Sequence, residues 1–323
     1  MIEQERAKGV PVLVLDAGNA LFRSRDSGGA PDAKARAELL LSQMDAQGTV
    51  AMAVGARDLV LGVDFLKKGT KKAKLQLLSA NLVDDKGRPL FPASLVTDVG
   101  GVKVGVVGVS PANAQPEPAA PSVKGRPTPM LKGLPVEPAV AAAVKRLRAQ
   151  AKVDLVVVLA AVPYDEALRI AERVEGVDFV VQSHEGRGQG IAQRQAFATL
   201  IPPGDRGRQL AKLELGLDGP GRFTDISEQN RARQSLSIVE ANLVKAKERL
   251  AAEQDAAKKG SYEQAVAGLE ARRAALKKMA EGGATGTART HLLSYIQLGN
   301  DVPADPAVQK QVERIEPPGS TAH

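Results

Sequence analysis

"AMAVGARDLVLGVDFLKK" (51–68) reads as a buried strand, a sharp turn at Gly55-Ala56-Arg57-Asp58, and a helix. The same grammar repeats on either side of it. Upstream, "VPVLVLDAGN" (10–19) is an apolar run ending in Asp, Gly and Asn, the form of a buried strand that delivers a loop at its carboxyl end. Residues 31–47 predict an amphipathic helix with Leu39, Leu40 and Met44 on its buried face. Downstream, "LQLLSANLV" (75–83) predicts one strand with a polar exit. "LFPASLVTDVGGVKVGVVGVS" (90–110) predicts two strands joined at Gly100-Gly101. A helix at 138–151, a strand at 153–162, a helix at 164–175 and a strand at 177–183 follow. Strands near 195–201, 208–217 and 222–226 complete the series. Strands alternating with helices argue α/β, and the hairpins add antiparallel sheet.

Composition narrows the class. The 323 residues are 43% hydrophobic and 25% charged, which suits a globular chain of one large domain or two modest ones. Aromatics are only 3%, so the core rests on Val, Leu, Ile and Ala. There is no cysteine, which excludes disulfides, zinc–thiolate sites and thiol nucleophiles. The net charge of +7 and pI near 9.5 raise the question of a polyanionic partner. Lys and Arg are scattered among Asp and Glu without a long basic run, and stacking aromatics are few. Both argue against nucleic acid. No stretch reaches the ~20 apolar residues of a membrane span. The start "MIEQERAKG" is polar, without a signal-peptide pattern, and leads straight into a strand.

Two breaks divide the chain. Residues 111–136 and Pro138 carry eight prolines (111, 116, 118, 121, 127, 129, 135 and 138), a long loop. From 227 the pattern becomes helical. Leu236, Val239, Leu243, Ala246 and Leu250 form one seam, and Tyr262, Val266, Leu269 and Leu276 a second, with a Gly-Ser turn at Lys259-Gly260-Ser261. The organisation expected is a first domain over 1–226, an antiparallel helical hairpin or coiled coil over 227–281, and an irregular tail over 282–323 with one short helix near 306–314. The hairpin is either an arm packed on itself or a surface for self-association or a protein partner.

Five strand-end segments, "LDAGNALF" (15–22), "VGARDLVLGVDFLKK" (54–68), "LLSANLV" (77–83), "VDLVVVLAAVPYDEAL" (153–168) and "VDFVVQSHEGR" (177–187), agree in order, spacing and flanking residues with one family. Together they resemble the calcineurin-like metallophosphoesterases, in the bacterial 5′-nucleotidase and cyclic-phosphodiesterase branch, over about residues 8–217. "SANLVDDKGRPLFPASLVTDVGGVKVGVVGVS" (79–110) is especially similar to that branch. The resemblance implies an α/β fold, a mixed two-sheet sandwich flanked by helices. It also implies two divalent metals of the Mn, Zn or Fe type at the carboxyl ends of the strands, hydrolysing phosphate esters.

The positions that would carry this chemistry hold other residues. The family's bridging aspartate falls at Asn19, and its Asn-His pair at Ala56 and Arg57. A permanently charged guanidinium repels cations. The next histidine falls at Ala161. In the last motif His184 is kept and the second histidine is Gly186. Asp58 and Glu185 are carboxylates outside matched ligand positions. The family's first motif, Asp-x-His, would lie on a strand upstream of residue 10, so that strand is expected to be missing. An apolar edge beside residues 10–16 follows from that. If an upstream segment belongs to the protein, a periplasmic or envelope location is expected, as for related nucleotidases.

The sequence therefore predicts a pseudoenzyme, a binding or structural module that needs no cofactor. Arg57, His184 and Arg187 are its candidate anion-binding residues, unless the arginines are solvated or paired with Asp58 and Glu185. The alternatives are a two-metal phosphoesterase with an incomplete site, and nucleic-acid binding through net charge.

Overall fold

The computed structural model describes residues 2–113, 131–183, 190–204, 207–219, 221–282, 288–299 and 301–317. Residues 114–130 of the proline-rich loop lie outside the described residues, as do His184, Glu185, Gly186 and Arg187. The chain forms two compact units: residues 1–210 with 295–323, and residues 211–294.

In the first unit the elements run α1 (Ile2–Arg6), β1 (Val14–Asp16), α2 (Ala33–Ala46), β2 (Thr49–Ala53), α3 (Val63–Gly69), β3 (Gln76–Leu78) and β4 (Leu82–Val83). They continue as β5 (Ser94–Val99), β6 (Val102–Val109), β7 (Lys132–Gly133), α4 (Val136–Arg146), β8 (Leu155–Ala160) and α5 (Tyr164–Arg173). β9 (Phe179–Gln182), β10 (Gln193–Arg194) and β11 (Thr199–Ile201) complete the main run. Two sheets result. The smaller is β1-β2-β3, all parallel, and the larger is β10-β11-β9-β8-β6-β5, with its four central strands parallel. β2 and β3 pack on β6 and β8, making a sandwich. This is the mixed two-sheet architecture expected from the sequence.

The layers follow from side-chain alternation. All six residues of β8 are buried. Val156, Val158 and Ala160 pack beneath α4 and α5 with Val140, Val144, Ala167 and Ile170. Val157 and Leu159 must then point the other way, toward the smaller sheet. On that sheet's outer side, Met52, Val54, Leu75 and Leu77 pack with Ala37, Leu41 and Leu66 of α2 and α3. At Gly108 the two sheets approach so closely that an added Cβ would lie 2.4 Å from the Leu78 carbonyl oxygen. The Ala80 amide donates to the Gly108 carbonyl at 2.8 Å in the same place.

Several local expectations need correction. α2 buries Ala33, Ala37 and Leu41. Leu40 is exposed, and Leu39 and Met44 are half-buried. One step of 100° separates Leu40 from the buried stripe. The stretch 75–83 is two short strands, because the chain turns at Ser79-Ala80-Asn81: β3 pairs with β2, whereas β4 pairs antiparallel with β7. A short helix, α1, precedes the first strand. β1 is an end strand of its sheet, and its three residues are half-buried. The Gly100-Gly101 hairpin lies where expected, with β5 and β6 in register from Val99↔Val102 to Ser94↔Val107.

The second unit is built on a sheet ordered β12 (Gln209–Gly216), β14 (Thr290–Gln297), β13 (Thr224–Asp225). The strands read at 208–217 and 222–226 thus join a strand at 290–297, in the stretch read as an irregular tail. α6 (Ser227–Ala252) and α7 (Ala256–Glu281) form the helical hairpin. Val239 and Leu243 of α6 and Val266 of α7, from the two seams read in the sequence, are buried, and the buried Ala232 and Ala280 extend those seams by a turn. Glu240 meets Arg273 at 3.4 Å, and Lys247 meets Glu270 at 2.7 Å, so the helices run antiparallel. The final helix, α8 (Pro306–Ile315), returns to the first unit and lies along α2, where Arg36 pairs with Glu316 at 2.6 Å.

The hairpin turn is not at Gly260-Ser261. Helix α7 begins five residues earlier, where the Asp255 carboxylate accepts the Ala257 and Lys258 amides at 2.9 and 3.4 Å. That cap satisfies amides the first turn leaves without partners. Gly260 consequently lies inside a helix, with nothing within 4 Å of an added Cβ. Gly260→Ala is expected to stabilise the second unit by about 0.5–1 kcal/mol, read as a higher urea midpoint with an unchanged slope. A lower midpoint would return this residue to a turn.

Candidate functional site

The carboxyl ends of β1, β2, β8 and β9 converge, and glycines let them do so. Gly18 has φ 89°, and an added Cβ would lie 2.4 Å from the Ala53 carbonyl oxygen and 3.0 Å from the Ala161 Cβ. An added Cβ on Gly55 would lie 2.3 Å from Asn19 Oδ1. Asn19 itself adopts the left-handed region at φ 61°, which asparagine tolerates better than most residues.

The centre of this cluster is Asp58, fully buried. Its Oδ2 accepts the Asn19 amide at 2.7 Å and the Gly55 amide at 2.8 Å, and its Oδ1 accepts the Leu21 amide at 3.1 Å. The carboxylate thus ties the loop after β1 to the loop after β2. Among the described residues it pairs with no arginine. The Asn19 side chain adds two bonds: Oδ1 accepts the Arg57 amide at 3.0 Å, and Nδ2 donates to Ser183 Oγ at 3.0 Å. Ala56 and Ala161 contribute buried methyl groups. Arg57 is half-buried, and among the described residues its guanidinium makes no ion pair. The structure therefore brings Asn19, Ala56, Arg57, Asp58, Ala161 and Ser183 to one place. His184, Gly186 and Arg187 follow Ser183 in the chain but lie outside the described residues.

A second polar group lies behind this one. The Asn81 amide donates to the Ser110 carbonyl at 2.8 Å and to the Leu134 carbonyl at 3.2 Å, while its oxygen accepts the Ser110 amide at 2.9 Å. Ser110 Oγ donates to the Val54 carbonyl at 2.5 Å and lies 2.8 Å from Ser79 Oγ. Asn81, Ser79 and Ser110 are buried and have partners on their side-chain polar atoms. They hold the exits of β2, β3 and β6 together. The sequence signals their segment through "SANLV" but not this role, because their partners lie about 30 to 50 residues away.

The donors that the described residues supply do not fit a pair of divalent metals. Among the described residues no group of three or more His, Cys, Asp or Glu could hold a metal ion. The Asn19 oxygen is taken by a backbone amide, and its nitrogen presents hydrogens. The Asp58 oxygens are taken by three amides. Asp16, whose charge acts on Asp58, accepts the Gly18 amide at 2.7 Å.

The fold defined by these two sheets is that of the metallophosphoesterases, in their 5′-nucleotidase-like form. Solved structures that the chain is similar to include three such proteins. The sulfate thiohydrolase SoxB of Thermus thermophilus is 23% identical over 66% of this chain and 38% of that one, with a TM-score of 0.54. A 5′-nucleotidase precursor, also from Thermus thermophilus, is 22% identical over 67% of this chain and 44% of that one, with a TM-score of 0.51. The calcineurin-like phosphoesterase YfkN from Bacillus subtilis is 12% identical over 97% of this chain and 86% of that one, with a TM-score of 0.57. The chain thus spans less than half the length of the first two. No family model matches the sequence, and no curated protein does. Among the described residues no helix is long and apolar enough to cross a membrane.

Burial pushes the Asp58 carboxyl up to about 7 from an ordinary 3.8, against the three amides that favour its charge, and the nearby Asp16 adds in the upward direction. Asp16 is itself raised by burial, opposed by the Gly18 amide. The folded chain thus keeps the Asp58 proton to higher pH than the unfolded chain does. This group's contribution is largest below about pH 4, declines as pH rises to about 7, and is constant above. Asp58→Asn carries no such proton. Across that window the wild type is expected to lose stability relative to the variant, measured as urea midpoints against pH. Parallel curves would show that Asp58 is ionised throughout.

Proposed function

We propose that the protein is a pseudoenzyme of the metallophosphoesterase fold, a binding or structural module whose strand-end site works without a metal centre. One observation carries the reading: the described groups at the converging loops are already committed to one another. Asn19 uses both ends of its amide on Arg57 and Ser183, Asp58 uses both oxygens on backbone amides, and Ala56 and Ala161 have nothing to offer a cation. Arg57 is the exception. A half-buried guanidinium without a described counter-charge suits an anion such as phosphate, which it binds through two parallel N–H donors. The helical hairpin supplies a surface for self-association or a protein partner.

The reading is tested by metal analysis of protein produced with Mn and Zn supplied, together with turnover of phosphomonoester and phosphodiester substrates. The expected result is metal well below one equivalent and no turnover. Stoichiometric metal with turnover would overturn it. In a separate measurement, phosphate at ten times its Kd is expected to stabilise the protein by ~1.4 kcal/mol, read as a thermal shift. Arg57→Ala is expected to abolish that shift.

A further inference from the structure

Five lysines crowd eight residues of the chain: Lys67, Lys68, Lys71, Lys72 and Lys74. The scattered character of the basic residues elsewhere hides this cluster, and Gly69, Thr70 and Ala73 interrupt it. Lys67 and Lys68 lie in the last turn of α3, where cations complement the helix dipole. The other three lie on the turn that leads into β3. All five are exposed. Lys67 lies 5.7 Å from the centroid of the Phe91 ring. Among the described residues none of the five ammonium groups makes an ion pair.

Two carboxylates stand near them. Asp64 occupies the first turn of α3. Asp45 accepts the backbone amides of Lys74 and Leu75 at 2.7 and 3.0 Å. The patch keeps a surplus of positive charge.

Its place in the fold is defined. β3 runs parallel to β2, with Ala51↔Gln76 at its start. Residues 71–75 therefore lie at the amino ends of these strands, whereas Gly55 to Asp58 leave from the carboxyl end. The lysines occupy the end of the smaller sheet opposite the candidate site.

We propose that this lysine-rich end binds the headgroups of an anionic membrane surface. The chemistry separates a lipid surface from a nucleic acid. A nucleic-acid strand is best held by arginine forks and aromatic platforms of fixed geometry. Residues 63–76 contain no arginine, and their one aromatic, Phe65, packs on the core. A lipid surface supplies negative charge wherever an ammonium group lands, and it suits hydrated point charges on flexible stems. Four to eight clustered basic residues are the number that such surfaces attract. Docked this way, the protein would keep its strand-end site directed away from the bilayer.

The test is co-sedimentation with phosphatidylcholine vesicles, with and without phosphatidylserine, at low and high salt. The wild type is expected to bind only the phosphatidylserine vesicles and to be released by salt. The variant Lys67→Gln/Lys68→Gln/Lys71→Gln/Lys72→Gln is expected to bind on the order of several hundredfold more weakly, about fivefold per lysine. A charge-matched control, Lys86→Gln/Lys103→Gln/Lys132→Gln/Lys145→Gln, alters four exposed lysines elsewhere and is expected to keep most of the binding. Lys71→Glu/Lys72→Glu, which leaves α3 untouched, is expected to release the protein as well. Equal loss in the patch and control variants, or salt-sensitive binding to DNA without binding to vesicles, would overturn the proposal.

Discussion

A carboxylate withdrawn from water has to be given donors, and Asp58 is given three backbone amides from two loops. Everything at the strand ends depends on that exchange. The amides belong to Asn19, Leu21 and Gly55, so one side chain fixes the course of the chain after β1 and after β2. With those courses fixed, Asn19 Oδ1 can reach the Arg57 amide and Nδ2 can reach Ser183, which brings in β9. Gly18 and Gly55 are the local condition, since a side chain on either would occupy the place of Ala53 or Asn19. Removing a buried acceptor leaves its donors unpaired, at about 1–3 kcal/mol per group. Losing Asp58 accordingly strands three amides at once.

Much of the fold was legible. The apolar runs that became β6 and β8 could only be buried strands, and Gly100-Gly101 could only be a hairpin. The seams over Leu236 to Leu250 and Tyr262 to Leu276 located two helices. The misreadings have a common physical origin, in which a local signal yields to a contact further along the chain. Gly260-Ser261 has the composition of a turn, yet the cap at Asp255 decides where α7 starts. Ser79 and Asn81 sit inside an apolar stretch, yet their bonds to Ser110 and Leu134 break it in two. The strand at 290–297 has weak alternation and acquires its identity from partners at 209–216 and 224–225.

The candidate site divides the same way. Its positions were legible through the resemblance, because Asn19, Ala56, Arg57 and Ala161 occupy recognisable loops. Its wiring was not. Asp58 was read as one partner an arginine could take, and among the described residues it clamps three backbone amides. Sequence shows which groups a site contains, but whether those groups are free to meet a ligand depends on what they already hold. Arg57 differs from its neighbours only in that respect.

The first unit is discontinuous: its final segment, 295–323, is separated from residue 210 by the 84 residues of the second unit. The chain enters that second unit on β12 and leaves on β14, which are hydrogen-bonded neighbours, so the interruption opens and closes at one point. This has a consequence for biosynthesis. At ~5–20 residues per second, a ribosome needs roughly 4–17 s to translate the interruption. During that interval the flank of α2, with Arg36, waits for a helix that has not been made. The earlier part of the sandwich must hold itself together meanwhile, or be shielded by a chaperone.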